Sequence, residues 1–156
     1  MTGSLVQAHV LEFPGGYQRS LGPVVGRYLT GLRDGRFLGV RTPSGRVLVP
    51  PTEYDPDTGE PVGEEFIEVG PAGTVTTWAW VSQPRPKHPL DRPFAWALIR
   101  LDGADTALLH VVDVAKESAV HTGMRVQARW RDERVGHVLD VECFVPEEPG
   151  NQVAAP

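Results

Sequence analysis

Apolar and polar positions alternate most regularly near the end of the chain. Met124, Val126, Ala128 and Trp130 share one face of an extended segment, and Arg125, Gln127, Arg129 and Arg131 share the other. Leu139, Val141, Cys143 and Val145 likewise oppose Val138, Asp140, Glu142 and Phe144. The segments 124–131 and 137–145 therefore read as an antiparallel pair with coincident apolar faces. That restricts the register, because a one-residue slip turns an apolar face to water. One permitted register sets Trp130 opposite Leu139, Val126 opposite Cys143 and Arg129 opposite Asp140. Cross-strand pairing and solvation then account for the basic stripe of Arg125, Arg129 and Arg131.

Three further strands precede this pair. Residues 74–83 are rich in β-branched and aromatic side chains, and 94–101 and 106–114 flank Asp102-Gly103, a hairpin turn signal. Residues 115–122 form a connector with some helical character, stopped by Gly123. Five strands with a connector between the third and the fourth match the order of an OB-fold barrel. A barrel this small has a filled interior, so it offers surface and loops rather than a deep pocket.

Upstream the pattern is different. Residues 5–13 hold a short strand ended by Pro14-Gly15-Gly16. Leu21, Val24, Val25, Tyr28, Leu29 and Leu32 then recur at helical spacing, which predicts a helix over 21–34. Ser20 is its expected N-cap, Pro23 sits in the permissive first turn and Gly35 stops it. The stripe either covers the protein's own core or docks a partner. Residues 36–40 and 46–49 read as a small hairpin, and 66–69 as a short strand.

Between Gly39 and Gly59 lie two turns of equal length, Arg41-Thr-Pro-Ser-Gly45 and Asp55-Pro-Asp-Thr-Gly59. Facing loops of this kind, each reading Cys-x-x-Cys-Gly, make a zinc ribbon. Here the four ligand positions are Arg41, Ser44, Asp55 and Thr58, none of them a cysteine. The pattern is that of a zinc-ribbon-like module without zinc, held by Val47–Val49, Pro50-Pro51 and the turn glycines. Asp55, Asp57, Glu60, Glu64 and Glu65 lack the ligand spacing of an EF-hand and read as a solvated loop.

The expected fold is thus mainly β: a five-stranded OB-fold barrel over 71–146, preceded by a terminal segment and helix (1–35) and the ribbon-like module (36–70). A Pro-, Glu- and Ala-rich tail, 147–156, reads as disordered.

Composition narrows the function. The formal charge of −5 argues against a nucleic-acid coat. A lone cysteine, Cys143, excludes an internal disulfide and a cysteine metal site, and its apolar strand makes it a buried core residue. Arg outnumbers Lys thirteen to two, which reads as genome composition. No apolar run approaches the roughly 18–20 residues of a membrane span, and no basic-then-apolar leader pattern opens the chain. The expectation is a cytoplasmic protein without membrane partners.

No catalytic constellation emerges. Ser20, Ser44, Ser82 and Ser118 lack a nucleophile-elbow context, and His9, His88, His110, His121 and His137 occur singly. His110 alternates with apolar neighbours and reads as structural. The most unusual surface segment is the Pro-rich loop 84–93, with Arg85, Lys87, His88 and Arg92 against Asp91. It joins the first two barrel strands, where OB-folds often recognise ligands. It is either a stiff hairpin loop or a docking surface for a partner or an anionic group such as a nucleotide phosphate. Trp78 and Trp80, with Trp96 nearby, offer the alternative of an OB-fold that stacks single-stranded nucleic acid.

Taken in order, several segments carry a resemblance. They are the helix end Tyr28-Leu-Thr-Gly-Leu-Arg-Asp-Gly-Arg-Phe-Leu38, then Gly45-Arg-Val-Leu-Val-Pro-Pro51, and the second turn ending at Gly59. The strand after Gly73, Pro93-Phe94-Ala95 and Gly123-Met-Arg-Val126 complete the set. Over residues 20–146 the chain resembles the acyl-CoA-associated OB-fold family with an N-terminal rubredoxin-like zinc ribbon, a domain-of-unknown-function family, in a variant lacking the zinc cysteines. The resemblance implies a non-catalytic accessory subunit of a thiolase-like or sterol-carrier-type enzyme acting on acyl-CoA esters. It further implies support of C–C bond cleavage in lipid or steroid side-chain degradation, with a MaoC-like hydratase as another possible partner. CoA esters would be ligands of the complex, and the chain itself would bind no cofactor.

Overall fold

In the computed structural model, which describes residues 4–11 and 16–148, the alternating segments close into a barrel. Before it come β1 (Ala8–Leu11), β2 (Tyr17–Ser20), α1 (Gly22–Arg33), β3 (Phe37–Arg41), β4 (Val47–Leu48) and β5 (Phe66–Val69). The barrel strands are β6 (Ala72–Val81), β7 (Phe94–Leu101), β8 (Leu108–Val112), β9 (Arg125–Trp130) and β10 (Val141–Pro146). Their cyclic order is β10-β8-β7-β6-β9, with β10 parallel to β8 and every other pair antiparallel. This is the five-stranded Greek-key closure of an OB-fold. The expected connector contains a single 3-10 turn, Glu117–Ala119.

The final hairpin corrects the register read from alternation. Trp130 pairs with Val141, Arg129 with Cys143 and Val126 with Pro146, with an irregularity between Val141 and Cys143. Residues 138–140 form a 3-10 turn rather than a strand. A bulge breaks the period of two. As a result Val141 and Phe144 both enter the main core, while Cys143 and Val145 join a second apolar cluster with Leu90, Phe94 and Val111. Leu139, assigned to the apolar face by alternation, is 49% exposed, and Asp140 is buried instead.

The N-terminal part shares the barrel's core. Phe37 packs against Trp130 with tilted rings at 4.8 Å and stacks on Phe144 at 6.1 Å. Tyr28, Leu29 and Leu32 of α1 and Val47, Val49 and Val69 belong to the same cluster as Val75, Ile99 and Val126 of the barrel. Full burial of a side chain such as Phe37 contributes about 1.5–3 kcal/mol. The apolar stripe of α1 therefore covers the protein's own core over most of its length.

The helix starts one residue later than expected and without its expected cap. Ser20 ends β2, its backbone committed to pairing with Ala8, and Leu21 takes the N-cap position with no side-chain cap bond. Gly35 stops the helix with a φ of +73°, and its N–H bonds the carbonyl of Leu32. The expected two-stranded hairpin is a three-stranded sheet, β4-β3-β5, because β5 pairs along β3 from Phe37–Val69 to Val40–Phe66. The expected strand over 5–13 is β1, and residues 12–15 lie outside the described ones, as does the tail from 149 on. Among the described residues, no helix is long and apolar enough to cross a membrane.

Candidate functional site

The two turns between Gly39 and Gly59 do face each other, and a carboxylate joins them. Both close on a glycine of positive φ, Gly45 at +89° and Gly59 at +74°, as such turns require. Asp55 is 1% exposed. Its Oδ2 accepts the N–H of Ser44 at 2.9 Å and its Oδ1 the N–H of Asp57 at 2.8 Å. The hydroxyls of Ser44 and Thr42, 2.9 Å apart, face the same carboxylate. Burial pushes the Asp55 carboxyl up, but these bonds outweigh it and hold it down at about 2. Asp57 adds an ion pair to Arg46 at 2.9 Å.

The expectation of a solvated acidic loop fails at Asp55, which is the buried centre of the junction. The module is also fastened to the barrel: Val47 N–H donates to Asp105 Oδ2 at 2.7 Å, and Val49 N–H to Thr106 Oγ1 at 2.8 Å. Of the four positions that the ribbon pattern assigns to ligands, Ser44 and Asp55 are hydrogen-bonded to each other. Arg41 pairs with Glu65 at 3.0 Å, and Thr58 Oγ1 accepts from Glu60 N at 3.2 Å. An arginine is no zinc ligand, and both Asp55 oxygens already accept backbone N–H groups, so this donor set does not fit a zinc ion.

The Pro-rich loop folds back on the outside of the barrel. Leu90, 8% exposed, anchors it in the second apolar cluster. The His88 ring stands edge-on to Phe94 at 5.6 Å, and its Nδ1 accepts from Arg85 N at 3.2 Å. Arg92 is committed to Asp113 at 2.5 Å. Of the four candidate residues, Arg85, Lys87 and Arg92 are exposed and His88 is half-buried, with Arg92 engaged by Asp113.

The basic stripe on β9 meets acids of this chain. Arg125 contacts both oxygens of Asp102, at 2.7 and 2.6 Å, and Glu147 at 2.8 Å. Arg129 pairs with Glu142 at 2.7 Å and with Asp113 at 3.2 Å, not with Asp140. Arg131 donates to the carbonyl of Leu139 at 2.7 Å. The tryptophans do not form one platform. Trp78 and Trp80 pack on the main core, whereas Trp96 pairs with Ala79 across the strands and packs in the second cluster.

His110 and His137 serve the fold, whereas the His121 side chain is exposed. Burial lowers the pKa of His110, whose ring bonds the backbone of Val138 and Val111 and stands edge-on to Phe144 at 5.5 Å. His137 caps the 3-10 turn through its Nδ1, which accepts from Leu139 N at 3.1 Å. The side chain of His9 lies outside the described residues. Among the described residues no three or more His, Cys, Asp or Glu side chains converge as metal ligands.

Pattern reading missed one feature. A half-open cavity of about 300 Å³ lies between α1, Pro50-Pro51 and Val138, and Tyr28 and Arg19 line it. Its signal in the sequence is slight: Tyr28 is the one hydroxyl-bearing member of the helix's apolar stripe.

Comparisons with known proteins place this architecture. Residues 66–131 match the family model of the ChsH2 C-terminal OB-fold domain. A crystal structure of a protein of unknown function from the DUF35 family, from Sulfolobus solfataricus, superposes with a TM-score of 0.55 at 22% identity, covering 69% of this chain and 78% of the other. An Ltp2-ChsH2(DUF35) aldolase chain superposes with a TM-score of 0.57 at 19% identity, covering 77% of this chain and 91% of that one. At these identities the likeness is one of fold. No curated protein matches the sequence.

Proposed function

From the premise that this chain belongs, through residues 66–131, to the ChsH2 C-terminal OB-fold family, we propose that it is a non-catalytic accessory subunit of a thiolase-like enzyme. The enzyme acts on acyl-CoA esters, and the chain supports its cleavage of a C–C bond, as an aldolase or thiolase, in lipid or steroid side-chain breakdown. The family match is the observation that carries the reading. The shared fold with a chain of the Ltp2-ChsH2(DUF35) aldolase supports the type of partner. The chain's own surface suits docking more than catalysis. Arg125 and Arg129 of the barrel wall are paired internally, while Arg85 and Lys87 project from a proline-stiffened loop. Four prolines lower the entropy cost of presenting that loop to a partner or to a CoA phosphate.

Co-expression with a thiolase-like enzyme from the same organism, followed by size-exclusion chromatography and assay of C–C cleavage on a β-hydroxyacyl-CoA, tests the reading. The expected result is a stable hetero-oligomer whose cleavage activity needs this chain. A chain that stays monomeric beside such enzymes and leaves their activity unchanged would overturn it.

A further inference from the structure

The cavity beside α1 has the features of an occupied seat. Val25 and Leu29 of the helix, Pro50 and Pro51, and Val138 supply apolar walls. Tyr28 also lines it, is 7% exposed, and its hydroxyl has no hydrogen-bond partner among the described residues. Yet that hydroxyl is not sealed in the core, since no enclosed side-chain oxygen lacks a partner. Its open side is the cavity. An occupant that excludes water from this hydroxyl without supplying an acceptor would lose about 1–3 kcal/mol, so a fitting occupant brings an oxygen.

The rim carries a second signal. Arg19 lines the cavity, forms no ion pair among the described residues, and no carboxylate lines the cavity with it. The occupant that complements this charge brings an acid. Apolar surface continues beyond the cavity. Tyr17 lies two residues from Arg19 on the same face of β2 and is 52% exposed, and Val135, Val138 and Leu139 on the facing turn are 74%, 51% and 49% exposed. A volume of about 300 Å³ is at the lower limit of small-molecule pockets. An apolar surround of that breadth fits a macromolecule whose single anchor side chain fills the hole.

We propose that this cavity seats an apolar side chain of a partner polypeptide, with a carboxylate next to that anchor meeting Arg19 and an oxygen of the partner accepting from Tyr28. The inference rests on the functional reading above: the polypeptide is the thiolase-like enzyme. The seat is built from β2, α1, Pro50-Pro51 and the 137–138 turn, and no residue of the Pro-rich loop lines it.

The test is calorimetric titration of the full chain with the thiolase-like enzyme that forms the hetero-oligomer. Val25→Trp fills the cavity and is expected to weaken binding by about 30-fold or more, the scale of a lost anchor. Tyr28→Phe keeps the packing and removes only the donor, with an expected loss of about 3–10-fold. Arg19→Glu should weaken binding more at low salt than at high salt. Arg85→Ala and Lys87→Ala serve as comparison variants outside the seat. Thermal unfolding identifies any variant that misfolds, and Tyr28→Phe carries the test if Val25→Trp does. Unchanged affinity in Tyr28→Phe and Arg19→Glu overturns the seat while the functional reading stands. Absence of any complex with the unaltered chain overturns the functional reading and the seat with it. Decanoate that binds the chain alone, and is lost in Tyr28→Phe, overturns a polypeptide occupant in favour of a small amphiphile.

Discussion

Asp55 Oδ2 accepts the backbone N–H of Ser44 at 2.9 Å, across the gap between two turns, from eleven positions away in the sequence. The same carboxylate takes the N–H of Asp57 through Oδ1. One side chain thus ties a turn to its counterpart, in the place where paired metal ligands would stand in a zinc ribbon. Asp55→Ala removes the acceptor and leaves both donors without it, and an unmet buried donor is costly. The expected result is a fall in unfolding temperature on the order of 5 °C for a chain of this size. Differential scanning calorimetry measures it. An unchanged midpoint would mean that Val47–Val49 and the contacts to Asp105 and Thr106 hold the module unaided.

Acid should loosen the same junction in a defined window. Burial raises the Asp55 carboxyl, but hydrogen bonds from Asp57, Ser44 and Thr42 more than offset it, and the group sits at about 2 in the folded chain against 3.8 for an ordinary Asp. A folded value below the unfolded one means the carboxylate's stabilisation is complete above about pH 4 and is lost as pH falls toward 2. Urea midpoints of the parent chain and of Asp55→Asn should therefore be well separated near neutrality and converge through that window. A separation independent of pH would assign the effect to side-chain shape rather than charge.

Cys143 should be inert in the folded protein. It is fully buried, and burial raises its thiol to about 11, against the opposing pull of Arg129. The thiolate is the reactive form, so a thiol reagent such as dithionitrobenzoate near pH 8 should label the chain only after denaturant is added. Cys143→Ser places a hydroxyl in the cluster formed by Leu90, Phe94 and Val111 and should cost about 1–3 kcal/mol. Rapid labelling of the native chain would contradict the packing of the loop over this face.

Much of the fold was legible because period and punctuation agree. Asp102-Gly103 marks the β7–β8 turn, Gly35 and Pro23 bracket α1, and the five-strand order identifies the barrel. The misreadings arise where a local feature breaks a period. At Glu142 a bulge shifts the register by one, so alternation placed Phe144 outside, and the 3-10 turn over 138–140 exposes Leu139, which alternation placed inside. At Asp55 an acidic residue among acidic residues looked solvated, since nothing local reveals that Ser44, eleven positions away, turns its N–H toward it. The cavity was invisible for the same reason: its walls come from α1, Pro50-Pro51 and Val138, which are brought together only by the shared core.

Asp140 governs whether the rim of that cavity keeps its shape. Its buried carboxylate accepts N–H groups from Val135 at 3.1 Å, Gly136 at 2.7 Å and His137 at 3.0 Å. These are the backbone donors of the turn that presents Val135, Val138 and Leu139 to solvent. Arg134 ties the turn to α1 by donating to the carbonyl of Arg33 at 3.0 Å, and His110 reaches the backbone of Val138 from β8. Asp140→Ala strips three donors at once, and loss of bonds to a buried charged acceptor is expected to cost about 3 kcal/mol. Because β9 and β10 stay paired from Trp130 to Pro146, the damage should concentrate in the turn. Hydrogen exchange should then accelerate at residues 135–139 far more than at Val126 or Phe144. If protection falls evenly across the barrel instead, the turn is part of the cooperative core, and Asp140 shapes the whole fold rather than one face of the docking seat.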